Sequence, residues 1–319
     1  MEIAYKSNDY VKKEVELAMK HLADKKVQHA IKVQSFIRSY VTDFLRSKGY
    51  IEISPIIISP LTDPLNHPVY DPKISAYGGD MWITKSMIFH KQIAVQELKK
   101  IFIMSPNIRL EKEEKAETGR HLYEFTQIDI EALEKTREDM MDLAEDLIIY
   151  TIKRIKEEHP EELEYFGRDL PDYQKPFPKI TYAEAEEKYG KDFERIISKE
   201  SKTPIWLIDI PLKEREFYDR EYPDKPGILR DMDLIWPEGY QEASSGGERE
   251  YELDRIIERI HKKGQTEEQF KWFIELAKHG IKMSTGFGIG IERFTRFVCG
   301  LERIEDTSPF PKIPGKVSL

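Results

Sequence analysis

An arginine, a histidine, an aromatic ring and two carboxylates lie close together along one stretch of the sequence. Arg109 and Glu111 are separated by one residue, so on a strand their side chains would share a face. His121 and Phe125 follow a polar segment, and Asp129 comes four residues after Phe125. On one hairpin these groups could hold a nucleotide phosphate, a stacked base and an amine. They also suit a surface hairpin with cross-strand ion pairs, so both interpretations stay open.

Two carboxylates and a cation form a second pattern further along the chain. Asp233 and Glu242 flank the residues PEGY, and Ser245 and Arg249 follow. Mg²⁺ binds through one or two carboxylates together with phosphate oxygens, so two converging carboxylates indicate a magnesium site. The alternative for the same residues is a solvated hairpin.

A third pattern is the glycine-rich segment GFGIGIERF, residues 286–294. Alternating glycines leave the backbone bare, which lets a ligand or another strand approach closely. Glu292 and Arg293 fall where a helix should begin. The segment lacks the Gly-Lys-Ser/Thr ending of a phosphate-binding P-loop, so alone it is weak support for a nucleotide site.

Hydrophobic periodicity predicts the elements that carry these residues. A helix is predicted over residues 27–48, with Gly49 ending it. Strands are scattered among helices without regular alternation, which predicts an α+β domain with a mixed, mainly antiparallel sheet flanked by helices. The other predicted elements are strands at YIEIS, IIIS and IFIMSP, a helix from Ser86 to Lys100, strands over 107–113 and 122–133, a helix from Thr136 to His159, a strand–helix unit at KITYAEAEEKYG, strands at PIWLIDIP and DMDLIW, a turn at SSGGE, helices over 250–262 and 266–279, and a strand-to-helix segment over 286–299.

Composition restricts the class of protein. The chain has 319 residues, 39% hydrophobic and 34% charged, which is typical of a globular protein without a membrane span. The first residues lack the apolar run of a signal peptide, so a cytoplasmic protein is expected. One cysteine, Cys299, excludes an internal disulfide framework. A net charge of −9 argues against broad nucleic-acid binding, although it permits a local basic site.

Taken together in this order and spacing, the patterns resemble the class II aminoacyl-tRNA synthetases, in particular the aspartyl/asparaginyl branch. GYIEISP resembles motif 1, which closes at Pro55 and forms a dimer interface in that family. NIRLE with RHLYEFTQID resembles motif 2, and GFGIGIERF with the downstream PFPK resembles motif 3. The resemblance divides the chain into an N-terminal helical extension, 1–26, and a catalytic domain, 27–319.

The resemblance implies a role for each matching residue, with ATP and Mg²⁺ as cofactors. Arg109 would bind the α-phosphate and, with Arg293, would act in catalysis. Phe125 and Arg293 would enclose the adenine, His121 would reach the γ-phosphate and Glu111 the base. The implied ATP site comprises Arg109, Glu111, His121, Phe125, Glu242 and Arg293; the metal site comprises Asp233 and Glu242; the amino-acid site comprises Ser86, Lys91, Asp129, Ser245 and Arg249.

Two departures from the branch bear on the acceptor. Full-length members carry an N-terminal anticodon-binding domain, about a hundred residues by ordinary domain size, whereas here only about 26 residues precede the first core helix. The motif 2 loop, KEEKAETG, is acidic and would meet the phosphates of an acceptor stem badly. Both departures predict that tRNA is not a partner.

Lys91 indicates the amino acid. Aspartate-specific members carry a lysine at this place, five residues after Ser86, whereas EGYQEASSGGERE resembles the asparaginyl branch. This mixture resembles the archaeal-type asparagine synthetase A family, which implies conversion of aspartate and ammonia to asparagine, with ATP yielding AMP and pyrophosphate. The alternative is an aspartyl- or asparaginyl-tRNA synthetase-like ligase that lacks the anticodon-binding domain. A homodimer is expected in either case.

Overall fold

The computed structural model describes residues 7–319, and the fold is built around one large sheet. This part of the chain contains ten α-helices: α1 Asn8–Ala23, α2 Lys25–Ser47, α3 Ile88–Leu98, α4 Arg137–Glu158, α5 Pro160–Tyr165, α6 Tyr182–Tyr189, α7 Phe193–Glu200, α8 Leu253–Lys262, α9 Lys271–Lys278 and α10 Ile291–Cys299. Its strands are β1 Ile51–Glu52, β2 Ile58–Ser59, β3 Val69–Tyr70, β4 Lys73–Ala76, β5 Gly79–Ile83, β6 Lys100–Ile108, β7 Leu110–Glu111, β8 Glu124–Leu133, β9 Lys179–Thr181, β10 Ile205–Ile208, β11 Glu221–Tyr222, β12 Lys225–Leu229, β13 Asp231–Trp236, β14 Gln241–Glu248 and β15 Ser284–Gly290.

The large sheet has the strand order β1-β6-β8-β15-β14-β13-β10-β9. Only the two outermost pairs, β1 with β6 and β9 with β10, are parallel. All the central pairs are antiparallel. The expected α+β class with a mixed, mainly antiparallel sheet is therefore confirmed.

Helices α2, α4 and α10 cover one face of this sheet. The apolar residues of α2 recur at helical spacing and are buried along its length, so the helix packs through one stripe. Thr136 and Asp139 form a capping box that fixes the start of α4. On the sheet, the ring of Trp236 stacks on Phe294 and Phe297 of α10. These contacts form the main apolar core.

Side chains of β8 alternate between this core and the opposite face. Ile128, Ile130 and Ala132 are fully buried in the core. Asp129 and Glu131 lie between them in sequence, so they project from the other face of the sheet. A second apolar cluster, built mainly from α3, α8 and α9 around Phe89, borders that polar face. No helix within residues 7–319 is both long enough and apolar enough to cross a membrane.

Most predicted elements are confirmed, but several details are wrong. The predicted helix over 266–279 begins as a 3₁₀ helix, Glu267–Phe270, and the predicted helix over 250–262 begins at Leu253. The segment SSGGE is part of β14 and not a turn, because it pairs along its length with β13 and β15. The predicted strand over 107–113 is interrupted at Arg109, whose backbone N–H donates to Tyr123 O, and it ends after Glu111. Helix α3 begins at Ile88 rather than Ser86, although the Ser86 hydroxyl accepts the Ile88 N–H at 3.2 Å.

The proposed division of the chain stays a prediction. A helix, α1, does occupy Asn8–Ala23, and residues 1–6 of the expected extension lie outside the described part. No residue of α1 is buried, so this helix contributes little to the core.

Candidate active site

Two adjoining cavities lie on the polar face of the sheet. The outer cavity, about 220 Å³, brings together all six residues of the implied ATP site. The inner cavity, about 100 Å³, brings together all five residues of the implied amino-acid site. Arg109, Gln127 and Gly288 line both cavities and mark the place where they meet. Residues far apart in sequence therefore converge as two groups that share a boundary.

Arg109 lies at this boundary, and its charge is not neutralised by an ion pair with the described part of the chain. Its guanidinium lies 5.3 Å from the ring centre of Phe125, and its Nε donates to the carbonyl oxygen of Lys85 at 3.1 Å. Within residues 7–319 no carboxylate lies at salt-bridge distance from Arg109. A half-buried arginine that lines a cavity and has no carboxylate beside it can bind an anion, and its planar guanidinium suits a phosphate.

Neighbouring groups set the protonation of His121 and Glu111 in the outer cavity. Burial and the nearby charges of Arg293 and Arg120 lower the pKa of His121 to about 3, so its ring is neutral at physiological pH. A neutral ring can offer a hydrogen bond to a phosphate, but it adds no full charge. Burial opposes ionisation of Glu111, yet the hydrogen bond from His67 holds its pKa below the usual value. Glu111 Oε2 is buried without a hydrogen-bond partner and is available to an amino group.

The two carboxylates expected to hold Mg²⁺ come from neighbouring strands. Arg293 Nη1 lies 2.9 Å from Glu242 Oε1, and this positive charge lowers the pKa of Glu242 to about 2. Asp233 lies behind the lining of both cavities, where burial raises its pKa despite an ion pair with Arg215. Asp233 Oδ1 is buried and has no hydrogen-bond partner.

This donor set fits Mg²⁺ bound jointly with phosphate, but not a metal held by protein alone. The part of the chain seen in the structure contains no cluster of three or more metal-ligating side chains. A Mg²⁺ ion that takes its remaining ligands from phosphates and water needs only one or two carboxylates. Glu242, which lines the outer cavity and has a lowered pKa, meets that requirement. Asp233 has an unpartnered Oδ1, but it lines neither cavity and is paired with Arg215, so it could join only if that oxygen turned toward the metal.

Ion pairs dominate the inner cavity. Lys91 Nζ lies 2.9 Å from Asp129 Oδ1 and 3.6 Å from Glu131 Oε2, and its side chain is only 3% exposed. Arg249 pairs with Asp219 at 2.7 Å. Asp129, expected to receive an ammonium group, is thus held by Lys91, while its Oδ2 is buried and unpartnered. Its predicted role requires that a ligand use this second oxygen or displace the lysine.

Sequence reasoning missed several residues that the fold brings to these cavities. Asp63 lines the inner cavity, is 6% exposed, and accepts hydrogen bonds from the Tyr218 hydroxyl and the Leu65 N–H. Among residues 7–319 no cation is paired with it. Arg215 reaches the same cavity while paired with Asp231 and Asp233. No local pattern in the sequence marked Asp63 or linked Arg215 to the site.

Asp63 belongs to a segment that crosses both cavities, residues 61–71, which we call the strap. His67 of the strap lies 3.0 Å from Glu111 in the outer cavity. Strand β3 of the strap pairs with β7, and the Tyr70 hydroxyl donates to Glu113. Asp71 pairs with Lys85 at 2.7 Å. The acidic loop after β7, expected to be open and repulsive, forms a short 3₁₀ helix over Glu113–Thr118 with Glu113 partly satisfied by the strap.

An antiparallel sheet with these two cavities on one face defines the class: a class II aminoacyl-tRNA synthetase catalytic fold, which makes the chain a ligase. A family model described as tRNA synthetases class II (D, K and N) matches residues 12–314. The chain belongs to this family. Its cofactors are accordingly ATP and Mg²⁺, as the resemblance implied.

Individual relatives are similar over nearly the whole chain. The asparagine–tRNA ligase of Symbiobacterium thermophilum is 29% identical over 309 residues, which cover 89% of this chain and 69% of that protein. The asparagine–tRNA ligase of Thermococcus kodakarensis is 28% identical, covering 93% and 72%. The asparaginyl-tRNA synthetase of Pyrococcus horikoshii, complexed with asparaginyl-adenylate, superposes with a TM-score of 0.88 at 26% identity, covering 99% and 74%.

These similarities overturn the expected activity. The prediction of an ammonia-dependent asparagine synthetase is wrong, because the similar curated relatives are asparagine–tRNA ligases and the core superposes on asparaginyl-tRNA synthetases. The prediction against tRNA as a partner conflicts with the same finding. The charge argument for that prediction was weak, because one short acidic loop, hydrogen-bonded to the strap through Glu113, does not set the charge of a whole tRNA-binding surface.

Proposed function

We propose that the chain is an ATP-dependent ligase of the asparaginyl-tRNA synthetase type. It joins asparagine to AMP as an aminoacyl-adenylate with release of pyrophosphate, and then transfers the aminoacyl group to tRNA. One observation carries the proposal: the outer and inner cavities meet at Arg109, whose charge is uncommitted. A carboxylate held in the inner cavity and an α-phosphate held in the outer cavity would meet beside this guanidinium.

The outer-cavity residues match what adenylate formation requires. Arg109 would stabilise the charge that develops on the phosphorus as a carboxylate oxygen attacks. Phe125 and Arg293 would enclose the adenine between a ring and a guanidinium plane. Asp233 and Glu242 would hold Mg²⁺, which would neutralise the departing pyrophosphate when bound. His121, being neutral, would donate a hydrogen bond to the outer phosphates.

The inner-cavity residues would orient the amino acid. Asp63 has no cation partner in the structure, so it can pair with the substrate ammonium without displacing an internal ion pair. Asp129 would contribute its unpartnered Oδ2 to the same group. Ser86 and Ser245 line this cavity and would offer hydroxyl groups to the substrate.

Aspartate is a second candidate substrate, and Lys91 is the observation that favours it. Lys91 and Arg249 place two buried cations in the inner cavity, which could accept a side-chain carboxylate. Each is already paired with a carboxylate of the chain, however, which reduces the charge offered to a ligand. A neutral amide would not need to compete for these cations.

Amino-acid-dependent exchange of labelled pyrophosphate into ATP tests the proposal, followed by charging of total tRNA. Asparagine should support exchange and charging, and faster exchange with aspartate would favour the second candidate. Arg109→Ala should lower the exchange rate by about 10²- to 10³-fold, as loss of one oxyanion-stabilising donor does. Arg195→Ala, at a half-exposed arginine paired only with Asp192, is the matched control and should not change it. Exchange with neither amino acid, or full activity of Arg109→Ala, would refute the proposal.

A further inference from the structure

Glu131 is a buried carboxylate that touches neither cavity directly. Its exposure is 0%, and it is not among the residues lining either cavity. Its position on β8 is two residues beyond Asp129, on the same polar face of the sheet. A buried carboxylate is costly unless its oxygens are paired and hydrogen-bonded, so its partners indicate why it is present.

Both oxygens of Glu131 are engaged with groups that lie behind the inner cavity. Oε1 accepts from Arg249 Nε at 3.2 Å and from the Ser284 hydroxyl at 2.7 Å. Oε2 accepts from Arg249 Nη2 at 3.3 Å and lies 3.6 Å from Lys91 Nζ. Glu131 therefore contacts both cations that line the cavity on this side.

The neighbouring strand is shaped around this carboxylate. A Cβ atom at Gly286 would lie 1.9 Å from Glu131 Oε2, so any residue with a side chain there would displace it. The carbonyl oxygen of Gly286 accepts from Arg249 Nη2 at 3.0 Å, and Asp219 accepts from Nη1 at 2.7 Å. Three groups therefore hold the guanidinium: Asp219, the Gly286 carbonyl and Glu131. Glu131 accepts two of the hydrogen bonds, one on each carboxylate oxygen.

We propose that Glu131 is a positioning residue that holds Arg249 and Lys91 in the orientation in which they bind the amino acid. The inference rests on the proposed function and adds a residue that contacts no substrate. Its effect is exerted through the two cations, so it should act on amino-acid binding and leave the nucleotide site unchanged.

Removal of the charge on Glu131 should weaken amino-acid binding and leave ATP binding unchanged. In Glu131→Gln the charge is lost and one accepting oxygen becomes an NH₂ donor, so Arg249 and Lys91 share a single neutral acceptor, while Arg249 keeps its bonds to Asp219 and to the Gly286 carbonyl. The KM for the amino acid should rise by about 10- to 100-fold, the range expected for loss of hydrogen bonds to a charged group. The KM for ATP should stay within about twofold, because Arg249 and Lys91 do not line the outer cavity.

Pyrophosphate exchange with the full chain is the assay. One further variant controls for the loss of a buried charge elsewhere, and a second tests the role of Glu131 without changing it. Glu145→Gln changes another buried carboxylate, which accepts from Trp206 Nε1, outside both cavities; both of its KM values should match those of the wild type. Ser284→Ala removes one of the several hydrogen bonds that Glu131 accepts and leaves its charge in place, so it should raise the amino-acid KM by a smaller factor, about three- to tenfold. If Glu131→Gln does not fold, the amino-acid KM of Ser284→Ala is the test: a selective rise supports the inference, and an unchanged value overturns it.

The outcomes are distinguishable from those of the proposed function. Exchange by the wild type with a selective rise of the amino-acid KM in the variants supports the inference. Exchange by the wild type with unchanged or equally raised KM values in the variants overturns it and leaves the proposed function standing. No exchange by the wild type refutes the proposed function and this inference with it.

Discussion

Replacement of Lys91 by methionine would remove an ammonium group from the least exposed ion-pair cluster of the site. The side chains of Lys91 and Asp129 are 3% exposed, and that of Glu131 is 0% exposed. Methionine fills a similar volume, so the main change is the loss of charge. Two carboxylates, one of them still paired with Arg249, would then face each other without the cation between them.

The expected loss in the free energy of unfolding is about 3–5 kcal/mol, the cost of breaking a buried pair by removing one partner. Lys175→Met is a matched control, because Lys175 also pairs with two carboxylates, Asp142 and Asp146. Its side chain is 37% exposed and those carboxylates are 65% and 33% exposed, so water can replace the ammonium. The control should lose at most about 1 kcal/mol.

Urea denaturation of the wild type and both variants at neutral pH, monitored by circular dichroism, compares their free energies of unfolding. The midpoint should fall for Lys91→Met with an unchanged slope, which would show that stability and not the unfolded state has changed. A loss for Lys91→Met no greater than that for Lys175→Met would refute the argument, since burial of the pair would then have no energetic consequence.

Two further predictions concern protonation and assembly. Burial raises the pKa of Glu216 from 4.5 to about 7, so the folded chain keeps a proton that the unfolded chain releases, and stability falls as pH rises from about 4.5 to 7. Glu216→Gln cannot ionise and should be about 3 kcal/mol more stable than the wild type at pH 8 but equal at pH 4, as measured by urea denaturation; parallel pH profiles would contradict this. We also expect a homodimer, because Ile56, Ile57 and Ile58 are 39–46% exposed beside the edge strand β1. Sedimentation should show a wild-type dimer, a monomeric Ile57→Asp variant and a dimeric Trp272→Asp control, whereas a wild-type monomer at micromolar concentration would rule the interface out.

The sequence, read with the family resemblance, was sufficient to predict which eleven residues line the two cavities, although it missed others that line them, and the roles of the eleven stay predictions. The glycines of β15 predicted a close approach by a ligand or another strand, and the structure adds that Gly286 leaves the space that the Glu131 carboxylate of β8 fills. What the patterns could not show is which charges neutralise one another. Lys91 and Asp129 lie on a helix and a strand 38 positions apart, and their pairing is decided by packing between α3 and β8.

The finer activity could not be predicted for a different physical reason. Asparagine synthesis and tRNA charging both pass through an adenylate, so the same core residues serve either reaction. Lys91 and the acidic loop were two local features taken to favour asparagine synthesis, and in the fold Lys91 is paired with Asp129 while Glu113 of the loop accepts from Tyr70. The acceptor is selected by surfaces whose shape no short motif describes.

One piece of chain, the strap, covers both cavities, and this has a thermodynamic consequence. His67 contacts the outer cavity and Asp63 the inner one, with only a few residues between them. A nucleotide that took Glu111 from His67 would remove one contact that holds the strap, and an amino acid that drew on Asp63 would act on the same segment from the inner cavity. If binding at either cavity moves the strap, the affinities for the two ligands are linked, and each ligand must change the affinity for the other by the same factor.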